Sequence, residues 1–219
     1  MKVFICTGHA NYGNGIISSA DGRSSGGCNE YLYNAELIKY VGKWLKIGGC
    51  DVTAVVPPDG KLHSLADEIN YYIGEENKSA YDLSVQLHLN SFNSLAQGAE
   101  VWYYSDRTTA SRICQRLGDV WYNRGSKKST SLYWLNNTKS PAVLIESFFC
   151  DSKEDYKKAQ ELGMDEHGKL IAEGILGRDL SSPTKYKITA IKEVKSKKTA
   201  NKLVQELEDN GYTIKVERS

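Results

Sequence analysis

Over about the first 180 residues, short apolar runs alternate with longer segments of helical periodicity. The apolar runs have the length and composition of buried strands and occupy Val3–Cys6, Val52–Val56, Leu83–Leu89, Ala99–Tyr104 and Ala142–Ile145. Strands that alternate with helices along a chain indicate an α/β domain. We therefore predict a twisted, largely parallel sheet flanked by helices.

The clearest helix is predicted directly after Asn29. Apolar residues recur there on one helical face, at Leu32, Ala35, Ile38, Val41 and Leu45. Asn29 is a suitable N-cap, and Gly48-Gly49 supplies a C-terminal stop. Similar patterns predict further helices over Leu65–Glu76, Thr108–Arg124 and Lys153–Leu176.

A polar segment, Ser181-Ser182-Pro183-Thr184, separates this region from a shorter one in which the pattern restarts. There the periodicity predicts a small strand-helix-strand unit with elements at Tyr186–Ile191, Lys197–Asn210 and Tyr212–Val216. We expect a larger domain over residues 1–179, a linker over 180–185 and this unit over 186–219. Such a short unit is not stable alone, so it must dock on the larger domain, form a homodimer through residues 186–219, or bind a partner.

Composition excludes several classes of protein. A net charge of +1 lacks the basic excess of nucleic-acid-binding domains, so no nucleic acid partner is expected. No apolar stretch approaches the roughly 18 residues of a membrane span, so no stable membrane insertion is expected. The N-terminal apolar run is too short for a signal peptide, which predicts synthesis in the cytoplasm. The five widely spaced cysteines contain no CxxC pair and are expected to be reduced, mostly buried thiols.

Three polar residues that can take part in catalysis follow or end predicted strands. His9 follows the first strand, His88 lies near the end of Leu83–Leu89, and Glu146 closes Ala142–Ile145. Ligands of open α/β sheets bind outside the carboxyl ends of the strands, where these side chains could converge. Glu30, at the start of the first long helix, is a fourth candidate.

Two imidazoles and one carboxylate are a common ligand set for catalytic zinc, and a second carboxylate can accept a proton from water. Each residue could instead have an ordinary structural role. A histidine in a strand is more often a core or surface group, and a carboxylate in a first turn such as Glu30 stabilises its helix through the dipole. From spacing alone, both interpretations stay open.

Five segments, in this order, carry a family resemblance: Thr7-Gly8-His9, Gly27–Glu30, Gln86–Ser91, Gly98–Tyr104 and Pro141–Glu146. Together they resemble the zinc-dependent N-acetylmuramoyl-L-alanine amidases of bacterial autolysins and phage endolysins, over residues 1–177. The resemblance implies the family's twisted sheet flanked by helices. It also implies that His9, Glu30 and His88 are zinc ligands and that Glu146 is the catalytic carboxylate.

The chain departs from the family pattern at two places. The family usually has an Arg-containing helix before the second histidine motif, where this chain has His63–Asn70, and Gln86 replaces a small hydroxyl residue. Neither change touches an implied ligand. His63 and His167 match no family ligand and are expected to be solvated. The aromatic clusters Trp102–Tyr104 and Tyr133-Trp134 are expected either to pack in the core or to line a substrate groove.

The resemblance implies a peptidoglycan hydrolase that cleaves the amide bond between N-acetylmuramic acid and L-alanine. With no visible signal peptide, we expect a phage or prophage endolysin that reaches the cell wall after release and is held there by the C-terminal unit. That unit weakly resembles half of a sporulation-related wall-binding domain. Two alternatives remain: a zinc peptidase acting on wall peptides, and a non-catalytic wall-binding protein.

Overall fold

A computed structural model describes residues 1–181, 201–202 and 204–205 of the chain. The chain divides into two units, Met1–Ser182 and Pro183–Ser219. The first is an α/β unit built on a mixed, mostly parallel six-stranded sheet flanked by helices, which confirms the predicted fold class.

The strands lie within one or two residues of most predicted runs. They are β1 (Lys2–Thr7), β2 (Asn11–Gly13), β3 (Ile16–Ile17), β4 (Asp51–Val55), β5 (Leu83–Asn90), β6 (Ala99–Tyr103), β7 (Asn123–Lys128) and β8 (Ala142–Phe149). The sheet order is β4-β1-β5-β8-β6-β7, and only the β6–β8 pair is antiparallel within it. β2 and β3 form a separate antiparallel pair.

Helices connect most of these strands. They are α1 (Glu30–Ile47), α2 (Leu65–Glu76), α3 (Arg107–Leu117), α4 (Tyr133–Asn137), α5 (Lys153–Leu162) and α6 (Met164–Leu176). The Asn29 side chain accepts a hydrogen bond from the Leu32 N–H, so the predicted N-cap of α1 is confirmed. Ser64 caps α2 in the same way, through the N–H of Asp67.

Alternate residues of the strands point into two separate cores. In β1, Val3 and Ile5 join a large core shared with α1, α3 and α6, whereas Phe4 and Cys6 join a smaller one. The smaller core also contains Tyr72 of α2 together with Trp134 and Leu135 of α4 and Leu144 of β8. The face of the sheet towards α2 and α4 is therefore the more thinly covered one.

Two predicted helices are wrong in extent. The helix predicted over Thr108–Arg124 ends at Leu117, and β7 begins at Asn123. Between them the chain turns, which buries the Trp121 indole against Phe148 and lets its N–H donate to the Asp155 carbonyl. The helix predicted over Lys153–Leu176 is two helices, α5 and α6, because Gly163 separates them with a φ of +79°.

The last strand is longer than predicted. The sequence predicts a strand over Ala142–Ile145 that is closed by Glu146, whereas β8 continues to Phe149, so Glu146 lies inside the strand. A register irregularity follows the His88–Glu146 pair of the β5–β8 ladder. The prediction omitted β7, α4 and the β2–β3 pair entirely.

Most of the C-terminal unit lies outside the described residues, including the predicted strands Tyr186–Ile191 and Tyr212–Val216. Residues 201, 202, 204 and 205 are helical and fall within the predicted helix Lys197–Asn210. The domain boundaries and the homodimer stay predictions. Among the described helices, none combines the length and apolarity needed to cross a membrane. All five cysteines are free and buried, as expected.

Candidate active site

The structure brings His9, Glu30 and His88 together at the carboxyl ends of neighbouring parallel strands. His9 follows β1, His88 lies near the end of β5, and Glu30 is the first residue of α1. His9 Nε2 is 3.2 Å from Glu30 Oε2, and His88 Nδ1 is 3.0 Å from Glu30 Oε1. One potential ligand atom from each residue lies within 4.8 Å of the others. Their nitrogen and carboxylate donors are those of a three-ligand zinc site, so the residues fit this metal.

Backbone donors hold the Glu30 carboxylate in place. Oε1 accepts the N–H of Leu89 at 3.0 Å, and Oε2 accepts the N–H of Ala20 at 3.2 Å. Burial opposes ionisation of this side chain, but the hydrogen bonds with His88 and His9 outweigh it and hold the pKa of Glu30 well below its usual range. Glu30 is therefore an ionised ligand candidate at neutral pH.

His9 is fixed through its backbone as well as its ring. The Tyr72 hydroxyl donates to the His9 carbonyl at 2.6 Å and also contacts the Thr7 hydroxyl at 2.6 Å. Burial lowers the pKa of His9, but the hydrogen bond and charge of Glu30, together with the charge of Glu68, more than reverse this, so its pKa is raised overall. Helix α2, which supplies Tyr72, thus takes part in positioning the first imidazole.

Gly8 gives the His88 ring its space. A Cβ atom at Gly8 would lie 1.9 Å from His88 Cε1 and 2.0 Å from Nε2, far inside contact distance. The Gly8 N–H also donates to the Leu87 carbonyl at 3.0 Å, which fixes β1 beside β5 at this point. Residue 8 must therefore lack a side chain for His88 to face Glu30.

Glu146 lies beside this cluster. In the sheet it pairs with His88 on one side and with Glu100 on the other. Its Oε2 is buried and has no hydrogen-bond partner among the described residues. Burial is the largest effect on its carboxyl group, followed by the charges of Glu30 and Glu100, and together they raise the pKa of Glu146 well above its usual range. A carboxyl group with a raised pKa holds a proton more strongly than an ordinary one, so Glu146 is a candidate proton acceptor and donor.

Two cations stabilise Glu100 as a carboxylate. Its Oε2 accepts from Lys127 Nζ at 2.6 Å and from Arg124 Nε at 2.7 Å. Burial acts against ionisation, but these two hydrogen bonds hold the pKa of Glu100 below its usual range. The ionised Glu100 contributes in turn to the raised pKa of Glu146.

A cavity opens next to His9 and His88 on the α2 and α4 face of the sheet. Its walls are mainly apolar: Gly8, Leu65, Glu68, Ile69, Tyr72, Ile73, Gln86, Leu132, Tyr133, Trp134 and Leu144. Of the two aromatic clusters, Tyr133-Trp134 lines this cavity, with Trp134 also part of the smaller core. In the other, Trp102 and Tyr103 are partly buried and Tyr104 is exposed.

Sequence reasoning missed two buried polar groups. His63 is exposed, as expected, but His167 was expected to be solvated and is fully buried, because α6 packs on α1 there. Tyr33 Oη lies 3.0 Å from His167 Nδ1, and burial lowers the pKa of His167 to about 3. Glu68, on the inner face of α2, was not singled out, although a carboxylate in line with Tyr72 was an available signal.

Comparisons with known proteins find a family match over most of the chain. The model of the N-acetylmuramoyl-L-alanine amidase family matches residues 3–177. The catalytic domain of the CD27L endolysin targeting Clostridia Difficile is 42% identical with a TM-score of 0.78, covering 83% of this chain and 99% of that one. Cwp6 from Clostridium difficile is 27% identical with a TM-score of 0.68, covering 80% and 29% respectively.

A Clostridium perfringens protein described as uncharacterized is 29% identical over 98% of this chain and 64% of its own length. The chain thus spans less than two thirds of the length of that relative.

Proposed function

The chain belongs to the N-acetylmuramoyl-L-alanine amidase family, and on that premise we propose that it hydrolyses the amide bond between N-acetylmuramic acid and L-alanine in peptidoglycan. The observation that carries the proposal is the convergence of His9, Glu30 and His88 at one strand edge, with Glu146 alongside. The 42% identity to an endolysin catalytic domain supports the same assignment.

His9, Glu30 and His88 would hold a zinc ion. Glu30 contributes a negative charge, and its backbone hydrogen bonds from Leu89 and Ala20 keep it in place before the metal arrives. A zinc ion bound in this way supplies Lewis-acid polarisation of the scissile carbonyl and makes a neighbouring water more acidic. The role of the protein is to keep the three donor atoms close together and correctly oriented.

Glu146 is the proposed proton carrier. Its unpartnered Oε2 and its raised pKa suit a group that takes a proton from the attacking water and returns it to the leaving nitrogen. The carbon–oxygen bond forms first, and the carbon–nitrogen bond breaks once the leaving nitrogen has taken up the proton. The products are the free lactyl carboxylate of the sugar and the free amine of the peptide.

The cavity beside His9 and His88 offers a binding surface for the substrate. The aromatic side chains of Tyr133 and Trp134 have flat faces that suit packing against a sugar or peptide backbone. We assign the protein to the phage or prophage endolysins, made in the cytoplasm and acting on the wall after release. In this proposal the C-terminal unit holds the enzyme at the wall or pairs two copies.

The test is digestion of purified cell walls with zinc-loaded and metal-stripped protein. We expect turbidity to fall only with metal present, and mass analysis to show new muramic acid carboxyl ends together with new L-alanine amino ends. Readdition of zinc should restore lysis. Cleavage within the stem peptide would instead indicate a peptidase, and lysis that survives complete metal removal would contradict the metal mechanism.

A further inference from the structure

Helix α2 carries two buried carboxylates, Glu68 and Glu76, whose surroundings can be compared. Three residues of this helix are buried, Glu68, Tyr72 and Glu76, and their spacing of four places them on one face. Glu76 is fully satisfied by the Ser84 hydroxyl at 2.8 Å and by the N–H groups of Lys139 and Ser140 at 3.0 and 3.2 Å. It is a structural carboxylate that ties α2 to the sheet.

Glu68, two turns earlier, has the opposite environment. The residue is 1% exposed, and neither carboxylate oxygen has a hydrogen-bond partner among the described residues. A carboxylate buried without partners is costly, so its presence calls for a group that it serves. Glu68 also lines the cavity beside the metal-site candidates.

The group that faces Glu68 is the second nitrogen of His9. Glu68 Oε2 is 3.9 Å from His9 Nδ1, and this Nδ1 is itself buried and, within the described part of the chain, unpartnered. The other ring nitrogen, Nε2, faces Glu30. The imidazole thus lies between two carboxylates, with one nitrogen directed to the cluster and the other to α2.

This arrangement has a chemical consequence. A histidine that binds a metal through one ring nitrogen carries its proton on the other, and that N–H is normally donated to a carboxylate or carbonyl that fixes the ring. His9 Nδ1 would carry this proton, and a small side-chain adjustment would bring it within hydrogen-bond distance of Glu68. We propose that Glu68 is a positioning residue that accepts the His9 Nδ1–H and so orients His9 for zinc.

Two different roles for Glu68 fit the contacts less well. A carboxylate in the first turn of a helix can stabilise the helix through its dipole. Asp67 already has this role from an exposed position, and it also accepts the N–H of His63. The Tyr12 hydroxyl also lies near Glu68. Burial, followed by the effect of Glu68, raises the pKa of Tyr12 to about 12. No hydrogen bond of normal geometry joins the Tyr12 hydroxyl to the Glu68 carboxylate, so this contact does not satisfy Glu68.

The inference rests on the proposed zinc site, so the test measures zinc binding as well as activity. Zinc affinity is determined by competition with a chelator for the wild type, Glu68→Gln and Glu68→Leu. Glu75→Gln is the matched control, because Glu75 lies on the same helix in an exposed ion pair with Lys78. We expect roughly 10–100-fold weaker binding for Glu68→Leu and a smaller loss for Glu68→Gln, which keeps an acceptor oxygen. The control should bind zinc like the wild type.

A second readout separates positioning from a structural role. In the zinc form, NMR should detect a protected His9 Nδ1–H proton that is lost in Glu68→Leu. Metal-free Glu68→Leu should melt at or above the wild-type temperature, because a buried carboxyl group without hydrogen-bond partners among the described residues has been removed. Unchanged zinc affinity in Glu68→Leu would overturn the inference alone. Absence of zinc binding by the wild type would overturn the metal site and the inference with it.

Discussion

Replacing Gly8 with alanine tests whether the His88 orientation seen here is the one that binds metal. Gly8 lies between β1 and His9, and an added Cβ would be 1.9 Å from Cε1 and 2.0 Å from Nε2 of the His88 ring. The φ of Gly8 is not positive, so alanine causes no backbone strain of that kind. The substitution therefore acts on the ring alone.

The size of the displacement follows from these distances. Carbon atoms in contact lie about 3.5 Å apart, so the ring must retreat by about 1.6 Å. Metal–ligand distances are held within about 0.2 Å, which makes this shift several times too large for His88 to remain a ligand. We expect zinc affinity and amide cleavage each to fall by at least about 100-fold. Overpacking should lower the free energy of unfolding by about 1–3 kcal/mol.

The assay compares chelator competition, cleavage of a soluble muropeptide and unfolding of the metal-free protein. Gly74→Ala is the control, because Gly74 lies in α2 with open space at its Cβ position. That variant should keep wild-type zinc affinity, and its stability should be equal or higher, since alanine favours a helix over glycine by about 1 kcal/mol. Zinc binding and turnover at wild-type levels in Gly8→Ala would refute the geometry of the site.

Three further predictions follow from the structure. Glu146→Gln should lower turnover by about 10²–10⁴-fold while zinc content stays normal, and near-normal turnover would remove Glu146 from the mechanism. Deleting residues 183–219 should leave cleavage of soluble muropeptides intact but weaken lysis of whole walls, because tethering is lost; equal wall lysis by the shortened chain would argue against tethering. His167 has a pKa lowered from 6.5 to about 3 in the fold, so the unfolded chain takes up the proton first and stability is lost as the pH falls below about 6.5. Between pH 7 and 5 this loss amounts to about 2 kcal/mol, and denaturant unfolding of His167→Gln should show a weaker pH dependence.

The strands that sequence patterns predicted carry apolar residues either in a continuous run or at alternate positions, whether they lie at the centre of the sheet or, like β4, at its edge. β1, β5 and β8 are central strands of the sheet. β1 and the first half of β8 are continuous apolar runs, whereas β5 alternates apolar and polar residues. β7, an edge strand of Asn123–Lys128, carries no apolar run, so nothing in its pattern predicted a strand. Its pairing with β6 depends on contacts between distant parts of the chain.

Some local sequence signals were present, but each was compatible with more than one structure. The helical periodicity of Lys153–Leu176 runs through Gly163, and only the left-handed φ of this glycine makes it a break. At the site, the strand-end rule pointed to His9, His88 and Glu146, and the resemblance implied roles for these residues and for Glu30. His167 shares the buried stripe of α6 with Leu170 and Ile171, which was an available local signal, but its partner Tyr33 comes from α1 and no local pattern reveals it.

The structure gives a new interpretation of one departure from the family pattern, the segment His63–Asn70. At the sequence level, the departure at His63–Asn70 touches no implied ligand. In the fold the same segment forms the start of α2, and its Glu68 faces the ring of His9. One turn later, Tyr72 holds the His9 carbonyl. Because α2 contributes contacts to His9 on the thinly covered face of the sheet, we expect a change of sequence here to act on the proposed metal site as well as on the cavity wall.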